Sequence, residues 1–377
     1  MSITNDRHMS GGAGCQWPVV LFLLSPVLSN YVFYGPISIG DLLFFSITPW
    51  LIVRIRFNKL VTLIQVLLVV FLFAISFFII SNTSKEVYYG FYRSCFFLFS
   101  VIIVSCLDIN KLCGVGFLLL YRRLAILFSI LIILQYFLYI KGLNIPFQLP
   151  IDYYEPDTLK VIDHVYRSGG VFKEPSYYML YITPMMFYLV IRRDYLSYTI
   201  LLVAGVLSTS SLVFFISIIT LLYFPIKYVS VMLTLLLMLI LAVISISISI
   251  DIDMINGIFI DRIIEIFENG GTLTTRFIPI IDAFNYSGFS FFATENAYTF
   301  LLSDGQWFSS LVTLYLIFGC IGICILLLSF MGTGIVFFII LSCFLATTHF
   351  MSGVFAPFIV FSFLIIRSFY YSQNKSK

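Results

Sequence analysis

The sequence predicts an all-α, polytopic integral membrane protein with about 12 transmembrane helices and two large loops on one face. Three observations lead to this fold class. Apolar residues make up 61% of the 377 positions, and the mean hydropathy is +1.06. Only 10% of residues are charged. Long polar stretches are confined to roughly 141–176 and 249–308. The apolar runs lack period-two alternation, so helices rather than strands are expected to span.

The individual spans follow from the length that a bilayer demands. A hydrocarbon core of about 30 Å needs about 20 apolar residues per helix. The predicted spans, several of them short, are 17–35, 37–53, 60–80, 91–107, 124–140, 177–191, 196–208, 211–224, 229–248, 309–330, 333–347 and 353–368. With their loops they are expected to form one integral membrane domain over 1–377.

The distribution of charge predicts the orientation. Connectors on one side hold 13 of the 21 basic residues but only three of the 18 acidic ones. Because positively charged loops stay in the cytoplasm, both termini are predicted to be cytoplasmic and both long loops external. Asp41 is the only acidic residue predicted to lie well inside a span.

Segment 112–121 is apolar but too short to span before Arg122 and Arg123. We expect it to lie at the cytoplasmic surface. The alternative is one helix over 112–140, which would bury two arginines at about 2.5–3.5 kcal/mol each.

The second long loop contains two helix signals. Apolar residues recur at helical spacing around 260–268, before Gly270 and Gly271, which predicts an amphipathic helix. A second short helix is expected to start near Thr274 and Thr275.

The sequence lacks the usual signatures of cofactor chemistry. The seven cysteines lie in or beside apolar runs and none falls in a long loop, so neither a disulfide framework nor a zinc site is predicted. Metal, nucleotide-binding and serine-nucleophile motifs are missing too. We therefore expect no metal, no cofactor and no nucleic-acid partner, and a substrate that is already activated.

The stretch 166–178 is the most informative for chemistry. Gly169 and Gly170 permit a sharp turn or a close backbone approach to a ligand. Pro175 fits the first turn of the next helix, where Glu174 would cap the positive dipole end. A glycine turn before a capped helix is the structural alternative to a functional site.

Cations near that turn favour the functional interpretation. Arg167 and Lys173 would lie against the membrane surface, where they could hold a phosphate, and Glu174 could take a proton. In the second loop, Arg276 near a helix start suits phosphate or diphosphate, although a surface pair with Asp282 or Glu268 explains it equally.

Two further residues are candidates for acid–base work. Glu295 is a base or sugar-binding carboxylate, or simply a solvated loop residue. His349, in the outer turn between the last two spans, is a functional candidate whose alternative is an interfacial packing role.

Several of these motifs resemble those of the O-antigen polymerase and O-antigen ligase superfamily. The resemblance rests on the twelve-span layout, the arginine opening the second loop, the step 207–211 between spans seven and eight, and the pattern Arg167, Gly170, Phe172, Glu174 and Pro175. It implies a GT-C-like, metal-independent, inverting glycosyltransferase of the bacterial inner membrane. Such enzymes use undecaprenyl-diphosphate-linked sugars on the periplasmic face.

The resemblance also implies roles and partners. Arg167, Lys173 and Arg276 would bind the diphosphate, and Glu174, Glu295 or His349 would act on the acceptor hydroxyl. The implied partners are undecaprenyl-diphosphate-linked glycans, the lipid bilayer, a chain-length regulator and a flippase.

Two departures from the family pattern favour a polymerase over a ligase. Ligases tend to carry His-Asn before span ten, where this chain has Glu295 and Asn296. The usual Ser-x-Ser-Arg step lacks its arginine, since Ser211 is followed by Leu212. A ligase, a lipid-linked oligosaccharide flippase or transporter, and an O-acetyltransferase-type modifier remain alternatives. Transporters often contain charged or broken helices at mid-membrane.

Overall fold

The computed structural model describes residues 16–34, 37–53, 67, 70, 73–74, 85–107, 114–143, 145, 147, 149, 151, 169–172, 174–210, 212–222, 278, 281–283, 285, 291–292, 309–347 and 354–375. Of these residues, 82% are helical, which confirms a mainly α-helical chain. The helices are α1 Gln16–Leu28, α2 Ile39–Ile52, α3 Lys85–Ser105, α4 Gly114–Ile140, α5 Pro175–Arg192, α6 Tyr195–Leu207, α7 Leu212–Leu222, α8 Ser310–Met331, α9 Ile335–Thr347 and α10 Phe355–Lys375.

Several predicted spans agree closely with these helices. The bounds of α5, α6 and α8 differ from the predicted 177–191, 196–208 and 309–330 by at most two residues. Predicted span 229–248 lies outside the described residues. Span 60–80 does so too, apart from helical positions 67, 70 and 73–74.

The first predicted span is wrong at its C-terminal end. Instead of continuing to residue 35, α1 stops at Leu28 and a short antiparallel hairpin follows, formed by β1 Val32–Tyr34 and β2 Ile37–Ser38. Gly35 and Pro36 disfavour a helix that continues to residue 35, because proline cannot donate within a helix and glycine favours turns.

Among the described residues, two helices, α4 and α8, are long and apolar enough to cross a membrane. Core helices of soluble proteins can have the same length and composition, so the surface of α4 is informative. Exposed apolar side chains recur along it at helical spacing, each 43–50% exposed: Leu119, Leu127, Ile130, Leu134 and Phe137. Such a stripe is unfavourable in water and is typical of a lipid-facing surface.

The predicted separation of 112–121 from the following span is also wrong, since α4 runs unbroken from Gly114 to Ile140. The two arginines do not bear the expected burial cost. Arg122 pairs with Asp194 at 2.5 Å and donates to the Ser197 hydroxyl at 2.9 Å, while Arg123 is exposed. A partner on the neighbouring helix therefore allows arginine within this apolar helix.

Asp41 is not a mid-span carboxylate. It lies in the first turn of α2, where its side chain accepts the Ser38 backbone N–H and the Ser38 hydroxyl accepts the Asp41 N–H, both at 3.0 Å. This reciprocal capping box satisfies two donors that would otherwise be unpaired at the helix start. The acidic residue therefore has a structural explanation.

Helix α5 lies at the centre of the described bundle. Every residue from Pro175 to Val190 is buried, and α5 contacts α4, α6, α7 and α10. Helices α5 and α10 run parallel, as shown by aromatic rings that pair in the same order along both helices. The pairs are Tyr177–Phe355, Tyr181–Phe358, Phe187–Phe363 and Tyr188–Phe369.

Helices α6 and α7 form a hairpin against α5. The hydroxyls of Tyr198 and Thr220 are 2.7 Å apart, which joins the start of α6 to the end of α7. Near the turn, a Cβ on Gly205 would lie 2.9 Å from both Val213 Cγ2 and Met179 Sδ. The three helices therefore converge at Gly205, where only a hydrogen fits.

Candidate functional site

Glu174 occupies the position that the sequence predicted, at the N-cap of α5 directly before Pro175. Its carboxylate does not accept a backbone N–H of the helix; it accepts the Ser176 hydroxyl at 2.9 Å instead. The side chain is half-buried. The Glu174 carboxylate thus lies near the positive end of a helix dipole, and its oxygens retain lone pairs for a further hydrogen bond.

The chain before Glu174 makes a tight turn. The Phe172 N–H donates to the Gly169 carbonyl at 3.0 Å, and Gly170 has φ = +64°. A Cβ on Gly169 would lie 2.6 Å from the Phe172 carbonyl oxygen, and one on Gly170 would lie 2.8 Å from Ile132 Cγ1. Both glycines are therefore required by the turn and by its packing against the protein itself.

This turn lies inside the helical bundle. Phe172 is buried and packs against Phe128 and Tyr181, at ring-centroid distances of 5.5 and 5.2 Å. Because Gly170 abuts Ile132, the turn is level with a point eight residues before Ile140, about 12 Å from the C-terminal end of α4. The described part of the first-loop motif is thus packed beside the helices of the bundle rather than beyond their ends.

The second motif, the step 207–211, forms the turn of the α6–α7 hairpin. Ser208 caps α6, its hydroxyl donates to the Gly205 carbonyl at 2.7 Å, and Thr209 adopts φ = +57°. Because Gly205 abuts Met179 in the antiparallel α5, the next turn of α6 brings Ser208 level with Ser176. Two motifs that are 32 positions apart at their nearest residues, Pro175 and Leu207, therefore lie at the same end of the same helices.

A group of buried hydroxyls beneath the turn was missed by sequence reasoning. The Ser129 and Tyr178 hydroxyls are 2.8 Å apart, the Tyr181 hydroxyl donates to the Leu23 carbonyl at 3.2 Å, and the Tyr121 hydroxyl donates to the Tyr181 carbonyl. The spacing of Tyr178 and Tyr181 on one helix face was the available signal. These bonds join α5 to α1 and α4, and they hold in place the tyrosines that pack against Phe172 of the turn.

Five of the predicted site residues lie outside the described part of the chain: Arg167, Lys173, Arg276, Glu295 and His349. The expected convergence of Arg167 and Arg276 on one diphosphate therefore stays a prediction. Helical positions 278, 281–283 and 285 fall in the region where a helix was predicted to start near Thr274 and Thr275.

Within the described ranges, no three His, Cys, Asp or Glu side chains are close enough together to hold a metal ion. The chemistry that the turn before α5 offers is the Glu174 carboxylate with the neighbouring Ser176 hydroxyl, next to two glycines. A carboxylate in that setting can orient or deprotonate a hydroxyl group.

No known protein family, no curated protein and no solved structure matches this chain.

Proposed function

We propose that this protein is a glycosyltransferase of the bacterial inner membrane that polymerises undecaprenyl-diphosphate-linked repeat units into a surface polysaccharide. The proposal begins from the resemblance of the motifs at 167–175 and 207–211 to the O-antigen polymerase and ligase superfamily. The observation that supports it best is the position of Glu174 and Ser208 at one end of α5 and α6. At that end a single bound substrate would contact both motifs.

The proposed reaction is an inverting displacement. An acceptor sugar hydroxyl on one lipid-linked repeat unit attacks the anomeric carbon of the donor glycan. The bond from that carbon to the diphosphate oxygen breaks, and undecaprenyl diphosphate leaves as the anion. The hydroxyl proton passes to Glu174, Glu295 or His349. Of these three, Glu174 is the one whose surroundings are described: a helix N-terminus and the Ser176 hydroxyl.

Cationic side chains would supply the largest catalytic contribution. Arg167, Lys173 and Arg276 are proposed to bind the diphosphate and to stabilise the charge that develops on it as it leaves. Many spans suit such an enzyme, because each lipid-linked substrate has an isoprenoid chain that must stay in the bilayer while its sugars react.

A genetic complementation experiment tests the proposal. The gene is deleted in a strain that makes a long-chain surface glycan, and variants Glu174→Gln, Arg167→Ala and Arg276→Ala are returned. We expect short ladders that retain one attached repeat unit, whereas Arg123→Ala, a matched change at an exposed arginine of α4, should restore full length. Normal ladders from both Arg167→Ala and Arg276→Ala would contradict the proposed roles.

The same experiment separates the alternative functions. A ligase mutant would lose every attached repeat, and a flippase mutant would accumulate lipid-linked repeats on the cytoplasmic side. Transport is favoured by one specific observation, the non-helical backbone at Gly319 within α8, since broken helices at membrane depth are common in transporters. Accumulation of cytoplasmic lipid-linked repeats would therefore select the second candidate.

A further inference from the structure

Helix α8 is interrupted partway along its length. Gly319 has φ = +68° and ψ = −165°, a backbone conformation that is almost exclusive to glycine. The residues on either side remain helical over Ser310–Met331. An interruption inside an apolar helix leaves backbone donors without helical partners, and in a membrane these must be satisfied by other protein groups.

A segment of the second long loop lies at this interruption. The Ile321 N–H donates to the Phe291 carbonyl at 3.3 Å. A Cβ on Gly319 would lie 2.6 Å from the Phe291 oxygen and 2.7 Å from the carbonyl carbon of Phe292. The loop backbone therefore touches the helix where glycine leaves room, and its carbonyl caps the lower half of α8.

A second contact fixes the same loop higher on α8. Ala283 is fully buried and packs in one cluster with Val312, Tyr315 and Leu316 on the upper half of the helix. The loop is thus attached at two points, one above the other. Along α8, the contact with Ala283 lies nearer the N-terminal end than the contact with Phe291 does.

The interruption is deep. Nine residues separate Ser310 from Gly319, which is about 14 Å at 1.5 Å per residue. A hydrocarbon core of about 30 Å has its midplane about 15 Å from either boundary. If α8 spans the bilayer, Phe291 and Phe292 lie near the midplane, and their side chains, 63% and 36% exposed, face acyl chains rather than water.

We infer that α8 is a discontinuous membrane span whose interruption at Gly319 holds 291–292 of the second loop inside the bilayer as a re-entrant segment. Neither part is stable alone at that depth: the lower half of α8 needs the Phe291 carbonyl, and the segment needs the space at Gly319. The inference concerns architecture, and it is independent of whether the protein transfers sugars.

A further consequence concerns depth. Gly332, at the inner end of α8, lies against Leu364 of α10, and α10 begins at Phe355, which stacks on Tyr177. Gly332 and Leu364 mark one level in the bundle. Measured from that level toward the N-terminal end of α8, Gly319 is about 20 Å away. Measured along α10 to Phe355 and then along α5 from Tyr177 to its start, the first turn of α5 is about 17 Å away. The re-entrant segment and the Glu174 turn therefore reach similar depths from the same side.

Thiol labelling tests the inference in the whole protein. In a background without its native cysteines, a single thiol is placed by Phe292→Cys, or by Ile145→Cys in the first outer loop, where Ile145 is exposed. A charged, membrane-impermeant maleimide is added to intact cells. Because only the thiolate reacts and an apolar environment raises thiol pKa, Phe292→Cys should react at least about tenfold more slowly than Ile145→Cys. A small, membrane-permeant maleimide should label Phe292→Cys after solubilisation in denaturant.

A second substitution tests the role of Gly319. With Gly319→Ala added, the new Cβ collides with the loop backbone, so Phe292→Cys should become accessible to the charged reagent. Gly332→Ala is the matched control, because a Cβ there meets nothing closer than 3.8 Å. If Gly319→Ala does not accumulate, oxidative cross-linking tests instead whether the loop segment lies at the interruption. Phe292→Cys should form a disulfide with a retained Cys320 but not with a retained Cys324.

Equal labelling of Phe292→Cys and Ile145→Cys by the charged reagent would overturn the inference, as would the lack of any cross-link to Cys320. Neither measurement needs a glycan substrate. Slow labelling combined with normal ladders from the arginine variants would retain the re-entrant segment and reject the polymerase.

Discussion

Substitution of Gly169 provides the sharpest test of the turn before α5. In Gly169→Ala the new Cβ would lie 2.6 Å from the Phe172 oxygen and 2.8 Å from the Glu174 carbonyl carbon. Both neighbours are backbone atoms, so no side-chain rotation relieves the clash. Overpacking of this kind costs about 1–3 kcal/mol, and sometimes more.

The loss of stability expected for Gly169→Ala can be compared with that at two other glycines. In Gly170→Ala the alanine must adopt φ = +64°, at about 1–2 kcal/mol, but its Cβ meets only the side chain of Ile132, which can rotate. In Gly116→Ala, within α4, nothing lies within 4 Å of the new Cβ. Alanine there should be neutral or stabilise the helix by up to about 1 kcal/mol.

The assay is thermal unfolding of the purified protein in detergent, followed by intrinsic fluorescence. We expect Gly169→Ala and Gly170→Ala to lower the unfolding midpoint, while Gly116→Ala keeps or raises it. The free-energy gap between Gly169→Ala and Gly116→Ala should be about 1–4 kcal/mol. A Gly169→Ala protein as stable as Gly116→Ala would refute the turn geometry and the position of Glu174 that depends on it.

Two further predictions concern helix ends. Asp194→Ala should destabilise more than Arg122→Ala, because Asp194 also accepts the Ser197 N–H as N-cap of α6, worth about 0.5–2 kcal/mol. Because the pair of Arg122 and Asp194 is partly exposed, its coupling energy from a double-mutant cycle should be only about 0.2–1 kcal/mol in the same unfolding assay. A coupling of zero would contradict the view that this ion pair allows an arginine within the apolar helix α4. Ser38→Ala should lower the free energy of unfolding by about 1 kcal/mol, because the α2 capping box is lost. Ser46→Ala, a change at an exposed serine of the same helix, should be nearly neutral. Equal effects of the two substitutions would contradict the capping role.

The sequence predicted best where local chemistry decides. Pro175 after Glu174 fixed the start of α5, since proline is favoured in a first helical turn. The bounds of α6 and α8 followed from apolar runs that end in polar residues. Gly169 and Gly170 correctly indicated a sharp turn, with φ > 0 at the second of them.

Prediction failed where a distant partner decides. Nothing near Arg122 indicates that Asp194, 72 positions later, pairs with it and lets α4 continue through the arginine. The interruption at Gly319 is equally invisible, because glycine occurs in uninterrupted membrane helices, and only the Phe291 backbone distinguishes this one. For the candidate site, the sequence predicted the position of Glu174, but the proximity of the turn at 208–210 depended on the packing of Met179 against Gly205.

Helix α6 has a fixed length, with a consequence for the surrounding lipid. Left-handed residues, Arg193 before it and Thr209 after it, prevent extension at either end. Its 13 residues measure about 20 Å, roughly 10 Å less than an average hydrocarbon core. If α6 spans the bilayer, the lipid against it must become thinner, and reconstitution into longer-chain phospholipids should strain α6 before α4 or α8.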